Sequence, residues 1–259
     1  MRMDKIAMIT GASSGIGKST CLALAEIGYH LAIGSRNIEN LQSVQATAKA
    51  HGVNVLAVPL DVRHLDSAEN FVQQAMSTFG RIDVLVNNAG LARGVTLIAD
   101  QHNEEEWQEM IDTNLMGLAR MTRLVVPIMI KQQAGHVVNI GSTAGHEAYP
   151  GGSIYAATKF GERAFTTALR QELLGTPIRV TSIDPGMVET QFSMVRFNGD
   201  KAKADAVYAG VTPLVPDDIA DLIVFSVTRK SHVNLETIVV RPVDQASNTM
   251  LARKTQVTK

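Results

Sequence analysis

The sequence lacks the features that several classes of protein require. Its single cysteine, Cys21, excludes an internal disulfide framework and a multi-cysteine zinc site, and it favours a reducing compartment, so we expect a cytoplasmic protein. Lysine and arginine total 24 against 25 aspartate and glutamate residues, which leaves a net charge of −1 and no positive field for nucleic acid or anionic lipid. The longest apolar run, 124–130, is far shorter than the ~20 residues that span a bilayer. We therefore expect neither a nucleic acid nor a membrane as partner.

Two further absences narrow the function. The apolar run 6–9 is too short for the core of a signal peptide, and the chain continues directly into Thr10-Gly11. The seven histidines include no pair at the helical i, i+4 spacing and no cluster typical of metal ligands. The sequence therefore predicts neither a secretory signal nor a metal site.

The remaining composition and its pattern are typical of an α/β protein. The 259 residues are 45% hydrophobic and 19% charged, which suits a globular chain with a large core. Short β-branched runs alternate with longer amphipathic stretches, the pattern of a parallel sheet covered on both faces. Strands are predicted at 5–10, 30–35, 54–58, 82–86, 136–141, 178–183 and 237–241, and helices at 15–27, 38–50, 65–79, 104–132, 153–174 and 217–228. We expect a Rossmann-like, doubly wound parallel sheet of about seven strands, in one domain over 1–259.

The segment 187–215 departs from this alternation. It shows no clean period, mixes aromatic residues with Gly199 and Asp200, and follows Asp184-Pro185-Gly186 directly. A long irregular segment in a compact domain is usually a lid or a disordered loop. We predict that 187–215 is a lid over a binding site.

A glycine-rich loop follows the first predicted strand. The stretch 10–17 reads Thr-Gly-Ala-Ser-Ser-Gly-Ile-Gly and precedes a helical run, so the order is strand, glycine loop, helix. Glycines at 11, 15 and 17 allow close approach of a phosphate to the backbone, and the free amides of the helix start face an anion. An ordinary glycine turn is the alternative. A P-loop is excluded, because its first glycine would fall on Ala12.

The end of the second predicted strand indicates which dinucleotide would bind. An acidic residue at this place accepts hydrogen bonds from the adenosine ribose of NAD, whereas an arginine accommodates the 2′-phosphate of NADP. The stretch 32–37 contains no carboxylate, and Arg36 can form the charge-assisted bonds that a phosphate favours. We predict NADP as cofactor, with a solvated arginine as the alternative.

Three side chains suggest proton chemistry at the same edge of the sheet. Tyr155 and Lys159 are four residues apart in a predicted helix and therefore share one face. Ser142 follows the fifth predicted strand, at the carboxyl edge where open α/β folds bind ligands. A tyrosine and lysine at this spacing are often an accident of the surface, but the glycine loop makes an accident improbable here.

Together these motifs resemble the short-chain dehydrogenase/reductase family. The resemblance covers nearly the whole chain and each element occurs in the family's order: the loop 10–17, Asp61-Val62, 87–90 (Asn-Asn-Ala-Gly), Asn114, Ser142, Tyr155 with Lys159, and Pro185-Gly186 followed by Val188 and Thr190. It implies hydride transfer between a nicotinamide and a carbonyl or alcohol carbon.

The resemblance also implies a role for each matching residue. Tyr155 would be the general acid and base; because an unperturbed tyrosine has a pKa near ~10, the cation of Lys159 would stabilise its phenolate. Ser142 would bind the substrate oxygen, and Asn114 would order a water of a proton relay. The implied cofactor contacts are Gly11, Ser13, Ser14, Gly15, Ile16, Gly17, Ser35, Arg36, Asp61, Val62, Asn88, Ala89, Gly90, Tyr155, Lys159, Pro185, Gly186, Val188 and Thr190.

The C-terminal third is similar to one branch of that family. Many 3-oxoacyl reductases end in a strand followed by Val-Asp-Gly-Gly, and this chain reads Val243-Asp244-Gln245-Ala246 instead. That ending and the stretch 192–197 resemble the NADP-dependent serine, allo-threonine and 3-hydroxy acid dehydrogenases. A carboxylate substrate implies a cation in the pocket, for which Arg196 in the predicted lid is the candidate. His146 and Tyr149, between Ser142 and Tyr155, are further candidate substrate contacts.

Other readings remain open at this point. The chain could be an NADPH-dependent ketone, aldehyde or 3-oxoacyl reductase with a different pocket. It could also be a non-catalytic NADP-binding regulator, although Asn114, Ser142, Tyr155 and Lys159 are all present. The predicted helix 153–174 has a wider apolar surface than one sheet face requires, so we expect a homotetramer, as is usual in the family.

Overall fold

A computed structural model describes residues 5–100 and 103–254. The strands are β1 (Ile6–Thr10), β2 (His30–Ser35), β3 (Val55–Pro59), β4 (Val84–Asn87), β5 (Gly135–Ile140), β6 (Ile178–Pro185) and β7 (Thr237–Val240). The helices are α1 (Gly15–Glu26), α2 (Ile38–Lys49), α3 (Leu65–Phe79), α4 (Glu104–Ile111), α5 (Leu118–Gln132), α6 (Ser153–Glu172), α7 (Phe192–Arg196), α8 (Lys201–Tyr208) and α9 (Pro216–Val227).

The seven strands form one parallel sheet in the order β3-β2-β1-β4-β5-β6-β7. The predicted fold class is therefore confirmed, and each strand begins and ends within two residues of its predicted bounds. The direction of winding reverses between β1 and β4, and in doubly wound sheets the crevice outside this reversal binds ligands.

The core consists of two layers, one on each face of the sheet. Successive residues of a strand point to opposite faces, so Ile9 packs in the layer beneath α1, α2 and α9, whereas Met8 packs in the layer beneath α3, α5 and α6. Because both faces are covered, the strands read as continuous apolar runs, such as the fully buried β1. This explains why short apolar runs in the sequence could predict the positions of the strands.

The predicted helix 104–132 is interrupted in the structure. Residues Asp112–Gly117 form a π-helical turn between α4 and α5. Within it, Gly117 packs so closely on Val62 that a Cβ would lie 2.5 Å from Val62 Cγ2. The π turn also directs Asn114 toward the loop that follows β4, where its side chain bonds both backbone polar groups of Leu91 at 2.8 Å. Such turns inside helices are frequent at functional sites.

The segment 187–215 contains regular structure that the sequence reading missed. The expectation of an irregular segment is wrong for α7 and α8, which are short and separated by Asn198 and Gly199 with φ of 51° and 87°. Asp200 caps α8 by accepting a hydrogen bond from Lys203 N. Too few turns are present in either helix for a 3.6-residue period to stand out.

Among the described residues, no helix combines the length and the apolar character that crossing a membrane requires.

Candidate active site

A cavity of about 690 Å³ opens at the carboxyl ends of β1, β4, β5 and β6. Its wall includes most residues that the sequence reading proposed for cofactor or substrate: Gly11, Ser13, Ser14, Gly15, Ile16, Ser35, Arg36, Asp61, Val62, Asn88, Ala89, Gly90, Ser142, Tyr149, Tyr155, Lys159, Pro185, Gly186, Val188, Thr190 and Arg196. Three proposed residues, Gly17, Asn114 and His146, do not line it. Sequence positions 11 to 196 thus contribute to one cavity.

The glycine loop forms a bare backbone surface at one end of the cavity. Gly11 has φ of +66°, and a Cβ there would lie 2.9 Å from Ala89 Cα. A Cβ on Gly17 would lie 2.3 Å from the Gly11 carbonyl oxygen, so Gly17 is needed for packing of α1 on the loop. Asn88 Nδ2 donates to the carbonyl oxygens of Thr10 and Gly11 at 3.0 Å and holds the loop in place. The first turn of α1 has no side-chain cap, so its amides are available to an anion.

A cluster of arginines lies where the 2′-phosphate of a dinucleotide would be expected. Glu109 of α4 contacts Arg36 at 3.2 Å, Arg63 at 3.5 Å and Arg93 at 2.8 Å, and Arg63 also holds Asp61 at 2.6 Å. Burial opposes ionisation of Glu109, but hydrogen bonds and charges of Arg93 and Arg36 lower its pKa below the usual value. The charge of Asp112 also acts on Arg63, so three arginines face three carboxylates. The Arg36 side chain is 51% exposed, and its guanidinium can therefore meet a phosphate.

The sequence reading found Arg36 in this cluster but not its neighbours. Arg63 and Arg93 follow different strands, and Glu109 belongs to a helix 73 residues after Arg36. Only the fold brings them together, so no local pattern could reveal the contact.

Ser142, Tyr155 and Lys159 all line the cavity. Ser142 follows β5, and its Oγ accepts a hydrogen bond from Ala144 N at 3.0 Å. Lys159 Nζ donates to the carbonyl oxygen of Ile140, the last residue of β5, at 2.9 Å, which links α6 to the strand. The tyrosine and lysine share one face of α6, as their spacing predicts.

Lys159 has a buried carboxylate partner that the sequence reading did not anticipate. Its Nζ lies 2.7 Å from Glu162 Oε2, and the two side chains are 7% and 1% exposed. Burial lowers the pKa of Lys159, but the charges of Glu162, Tyr155 and Asp184 outweigh it and raise the pKa above its usual value. Lys159 is therefore held as a cation. Burial also raises the pKa of Glu162 despite the opposing effect of Lys159.

Asn114 lies behind the cavity wall. Its side chain is 1% exposed, and both N–H groups of the amide are used, by the carbonyl oxygen of Leu91 at 2.8 Å and by Thr158 Oγ1 at 3.1 Å. Its Oδ1 accepts from Leu91 N and keeps one lone pair. The water relay stays a prediction, and the side chain could serve it only through that lone pair.

His146 pairs with a buried carboxylate. Its Nε2 lies 2.5 Å from Asp184 Oδ2, and Ser182 Oγ donates to the other carboxylate oxygen at 2.5 Å. The imidazole thus belongs to a polar group behind the end of β6. His146 is not among the residues that line the cavity, and its contact with substrate stays a prediction.

Arg196 extends from α7 into the cavity. Its guanidinium carbon is 5.2 Å from the centre of the Tyr155 ring and 5.3 Å from that of Phe192. Its Nη2 donates to Tyr149 Oη at 3.1 Å, while its buried Nε has no hydrogen-bond partner in the described part of the chain. Burial and the neighbouring Tyr155 raise the pKa of Tyr149, so this phenol stays neutral. A guanidinium cation with one buried, unsatisfied N–H therefore lies beside the Tyr155 ring.

The segment around α7 is fastened to the loop after β4. Gly94 N donates to the carbonyl oxygen of Arg196 at 2.7 Å, and Arg93 donates to the carbonyl oxygen of Val195 at 2.8 Å and to Asn198 Oδ1 at 3.0 Å. Since Arg93 also pairs with Glu109, the segment is connected to the arginine cluster.

Residues near the C-terminus complete the wall but were not predicted. Gln245, Asn248, Leu251 and Arg253 line the cavity with Phe192 and Tyr208 of the 187–215 segment. Gln245 Oε1 accepts from Met187 N at 2.8 Å. These residues follow the last strand in a stretch without periodicity, so their sequence carried no signal. Across residues 5–100 and 103–254, no group of three or more His, Cys, Asp or Glu residues is placed to hold a metal ion.

The glycine loop at the sheet's reversal, with serine, tyrosine and lysine beside it, defines a dehydrogenase that uses a dinucleotide. The chain belongs to the short-chain dehydrogenase family, whose model, described as short chain dehydrogenase, matches residues 5–201. The family predicted from the motifs is thus confirmed.

Several members of that family are similar over nearly the full length. The chain is 43% identical over 256 residues to the NADP-dependent 3-hydroxy acid dehydrogenase of Schizosaccharomyces pombe, covering 98% of each chain. It is 43% identical over 242 residues to the NADP-dependent 3-hydroxy acid dehydrogenase YdfG of Salmonella typhi, covering 93% of this chain and 96% of the relative. Among solved structures, the closed form of a serine dehydrogenase complexed with NADP⁺ has a TM-score of 0.90 at 39% identity, covering 96% of this chain and 100% of that chain.

Proposed function

We propose that this protein is an NADP(H)-dependent oxidoreductase that transfers a hydride between the nicotinamide and the alcohol or carbonyl carbon of a small 3-hydroxy acid such as serine or allo-threonine. The observation that carries this proposal is the guanidinium cation of Arg196, which lies in the cavity wall 5.2 Å from the centre of the Tyr155 ring. A relative named NADP-dependent 3-hydroxy acid dehydrogenase and a neighbour titled serine dehydrogenase support the same chemistry.

The residues present fit NADP(H). When bound, the cofactor would supply or accept the hydride. The bare backbone at Gly11 and the uncapped start of α1 suit a pyrophosphate, and the exposed guanidinium of Arg36 suits a 2′-phosphate. In this proposal, the residues that touch the cofactor are those cofactor contacts predicted from the sequence that also line the cavity. Gly17 does not touch the cofactor and instead allows α1 to pack closely on the glycine loop.

Tyr155 moves the proton in this proposal. In oxidation its phenolate accepts the proton of the substrate hydroxyl, and in reduction its phenol donates one to the carbonyl oxygen. The cation of Lys159 stabilises the phenolate and retains a donor for the cofactor, while Ser142 donates to the substrate oxygen and orients it. Asn114 would position a water near Lys159.

Arg196 binds the substrate carboxylate in this account. A guanidinium and a carboxylate form two parallel hydrogen bonds, and Nε and Nη2 are on one edge of the guanidinium. In the structure Nη2 donates to Tyr149 Oη and Nε is buried, so this edge has to be uncovered by movement of the segment before it can meet a carboxylate. The segment 187–215 acts as the lid that carries Arg196 to the substrate. Ketone, aldehyde or 3-oxoacyl reduction is the alternative, and it would not require this cation.

Arg196→Ala tests the choice of substrate. We expect kcat/KM for a 3-hydroxy acid to fall about 10- to 100-fold, since hydrogen bonds between charged groups are lost, and to change little for a secondary alcohol without a carboxylate. Steady-state kinetics with both substrates measure this difference, and Arg229→Ala, an exposed arginine stacked on Phe225, serves as control. Equal losses for the two substrates would contradict the role of Arg196.

We also propose a homotetramer in the cytoplasm. Three apolar side chains are exposed on the π turn, α5 and α6: Met116 at 46%, Ile130 at 39% and Phe160 at 40%. Apolar surface of this kind favours contact with another subunit. Light scattering at micromolar concentration is expected to give four times the chain's 27.9 kDa mass. A monomer would contradict the proposed assembly.

The proposed location in the cytoplasm is supported by the single cysteine, Cys21, whose thiol is free and buried, as is compatible with a reducing compartment.

A further inference from the structure

Glu162 is a buried carboxylate for which the proposed mechanism has no use. It lies one turn after Lys159 on α6, its side chain is 1% exposed, and Oε2 is 2.7 Å from Lys159 Nζ. Its Oε1 has no hydrogen-bond partner within the described residues. A carboxylate without full hydrogen bonding is costly to bury, so its position beside the lysine calls for a physical explanation.

The pair fixes the direction of the lysine ammonium. Lys159 has three N–H donors, of which Ile140 O takes one and Glu162 Oε2 another. The Nζ atom lies beside Gly90 in the cavity wall, since a Cβ on that glycine would be 3.9 Å from it. Two fixed bonds therefore leave one donor for a bound molecule. The side chain of Glu162 is thus part of what orients Lys159.

The same carboxylate changes the electrostatic field at Tyr155. A lysine cation lowers the energy of a nearby phenolate. The carboxylate of Glu162, 2.7 Å from that cation, offsets part of the effect at pH values above its own pKa, which burial raises to about 7. The charged or titratable groups that face the pair come from three places: Tyr155 on α6, Asp184 on β6, and His146 paired with Asp184. Arg163, the next residue, donates to Gly145 O and is not among them.

We propose that Glu162 is a positioning residue for Lys159. Glu162 anchors the lysine ammonium and weakens the electrostatic field of that ammonium at Tyr155, and it thereby sets the pH at which Tyr155 exchanges its proton. The inference rests on the proposed function, because it gives Tyr155 and Lys159 their roles. Relative to a lysine without this partner, Tyr155 stays protonated to higher pH. The protonated tyrosine, which donates the proton in carbonyl reduction, is thereby retained to higher pH.

The proposal is tested by titrating the tyrosine phenolate of the unliganded protein through its near-ultraviolet absorbance. The signal of Tyr155 is isolated by subtracting the Tyr155→Phe curve, with and without Glu162→Gln. Removal of the negative charge should lower the midpoint by about one pH unit. Glu162→Asp, which keeps the charge, should leave the midpoint near that of the natural protein. Thr166→Val, which changes another buried polar residue of α6, should also leave it in place.

An unchanged or higher midpoint in Glu162→Gln would overturn the proposal. If Glu162→Gln does not fold, as judged by thermal unfolding, Glu162→Met gives a second neutral variant with the same expected sign. The midpoint of kcat/KM for NADP⁺-dependent oxidation should move to lower pH by the same amount. A loss of rate at every pH without that movement would indicate a merely structural role. The absorbance readout needs no turnover, so a wrong assignment of the reaction is separable from a wrong role for Glu162.

Discussion

Tyr155→Phe is expected to lower kcat in both reaction directions by about 10²- to 10⁴-fold or more, since it removes the group that transfers the proton. The substitution deletes one oxygen atom and leaves the ring, so the edge contact with Phe192 at 5.8 Å and the stacking of Arg196 at 5.2 Å are retained. The affinity for NADPH, followed by its fluorescence, should change by less than about threefold.

The two readouts separate a chemical from a structural effect. A loss of rate with intact NADPH binding is the outcome expected of a general acid and base. If kcat of Tyr155→Phe is within tenfold of that of the natural protein, Tyr155 does not transfer the proton. Another group, such as a bound water, would then have that role. A parallel loss of NADPH binding would indicate a disturbed cavity instead.

Arg36→Asp is expected to lower the ratio of kcat/KM with NADPH to that with NADH by about 10²-fold. Hydrogen bonds from a guanidinium to the 2′-phosphate are lost, and the new carboxylate repels the phosphate while it can accept bonds from an unphosphorylated ribose. Arg63 remains beside the site, held by Asp61 and Glu109, so some preference for NADPH should survive.

Steady-state kinetics with both cofactors measure this ratio. Arg36→Lys, which retains the charge but not the forked donor geometry, should give an intermediate value. A ratio that is unchanged in Arg36→Asp would mean that the phosphate binds elsewhere and that Arg36 serves only as a partner of Glu109.

The parts of the molecule that sequence reasoning found are those encoded by short, local patterns. A strand covered on both faces, such as β1, reads as a nearly continuous apolar run, and the loop from Gly11 to Gly17 consists of consecutive residues. Tyr155 and Lys159 were placed together because one helical turn separates them.

The parts that it missed depend on contacts between distant segments. Glu109 reaches Arg36 across 73 residues, and Gln245 approaches Met187 across 58. Glu162 is instructive because its spacing from Lys159 is local, yet a glutamate on a long helix is usually solvated. Only its burial behind β5 makes it a partner of the lysine. The π turn at Asn114 likewise depends on packing of Gly117 against Val62 rather than on helix propensity.

The most direct test of the account is the initial rate at which the purified protein reduces NADP⁺ and NAD⁺ with serine, another 3-hydroxy acid and a matched secondary alcohol without a carboxylate. The account predicts turnover with NADP⁺, and a kcat/KM for the best hydroxy acid at least about tenfold above that for the alcohol, from the bonds that Arg196 donates. No turnover of any hydroxy acid, or turnover with NAD⁺ alone, would contradict it.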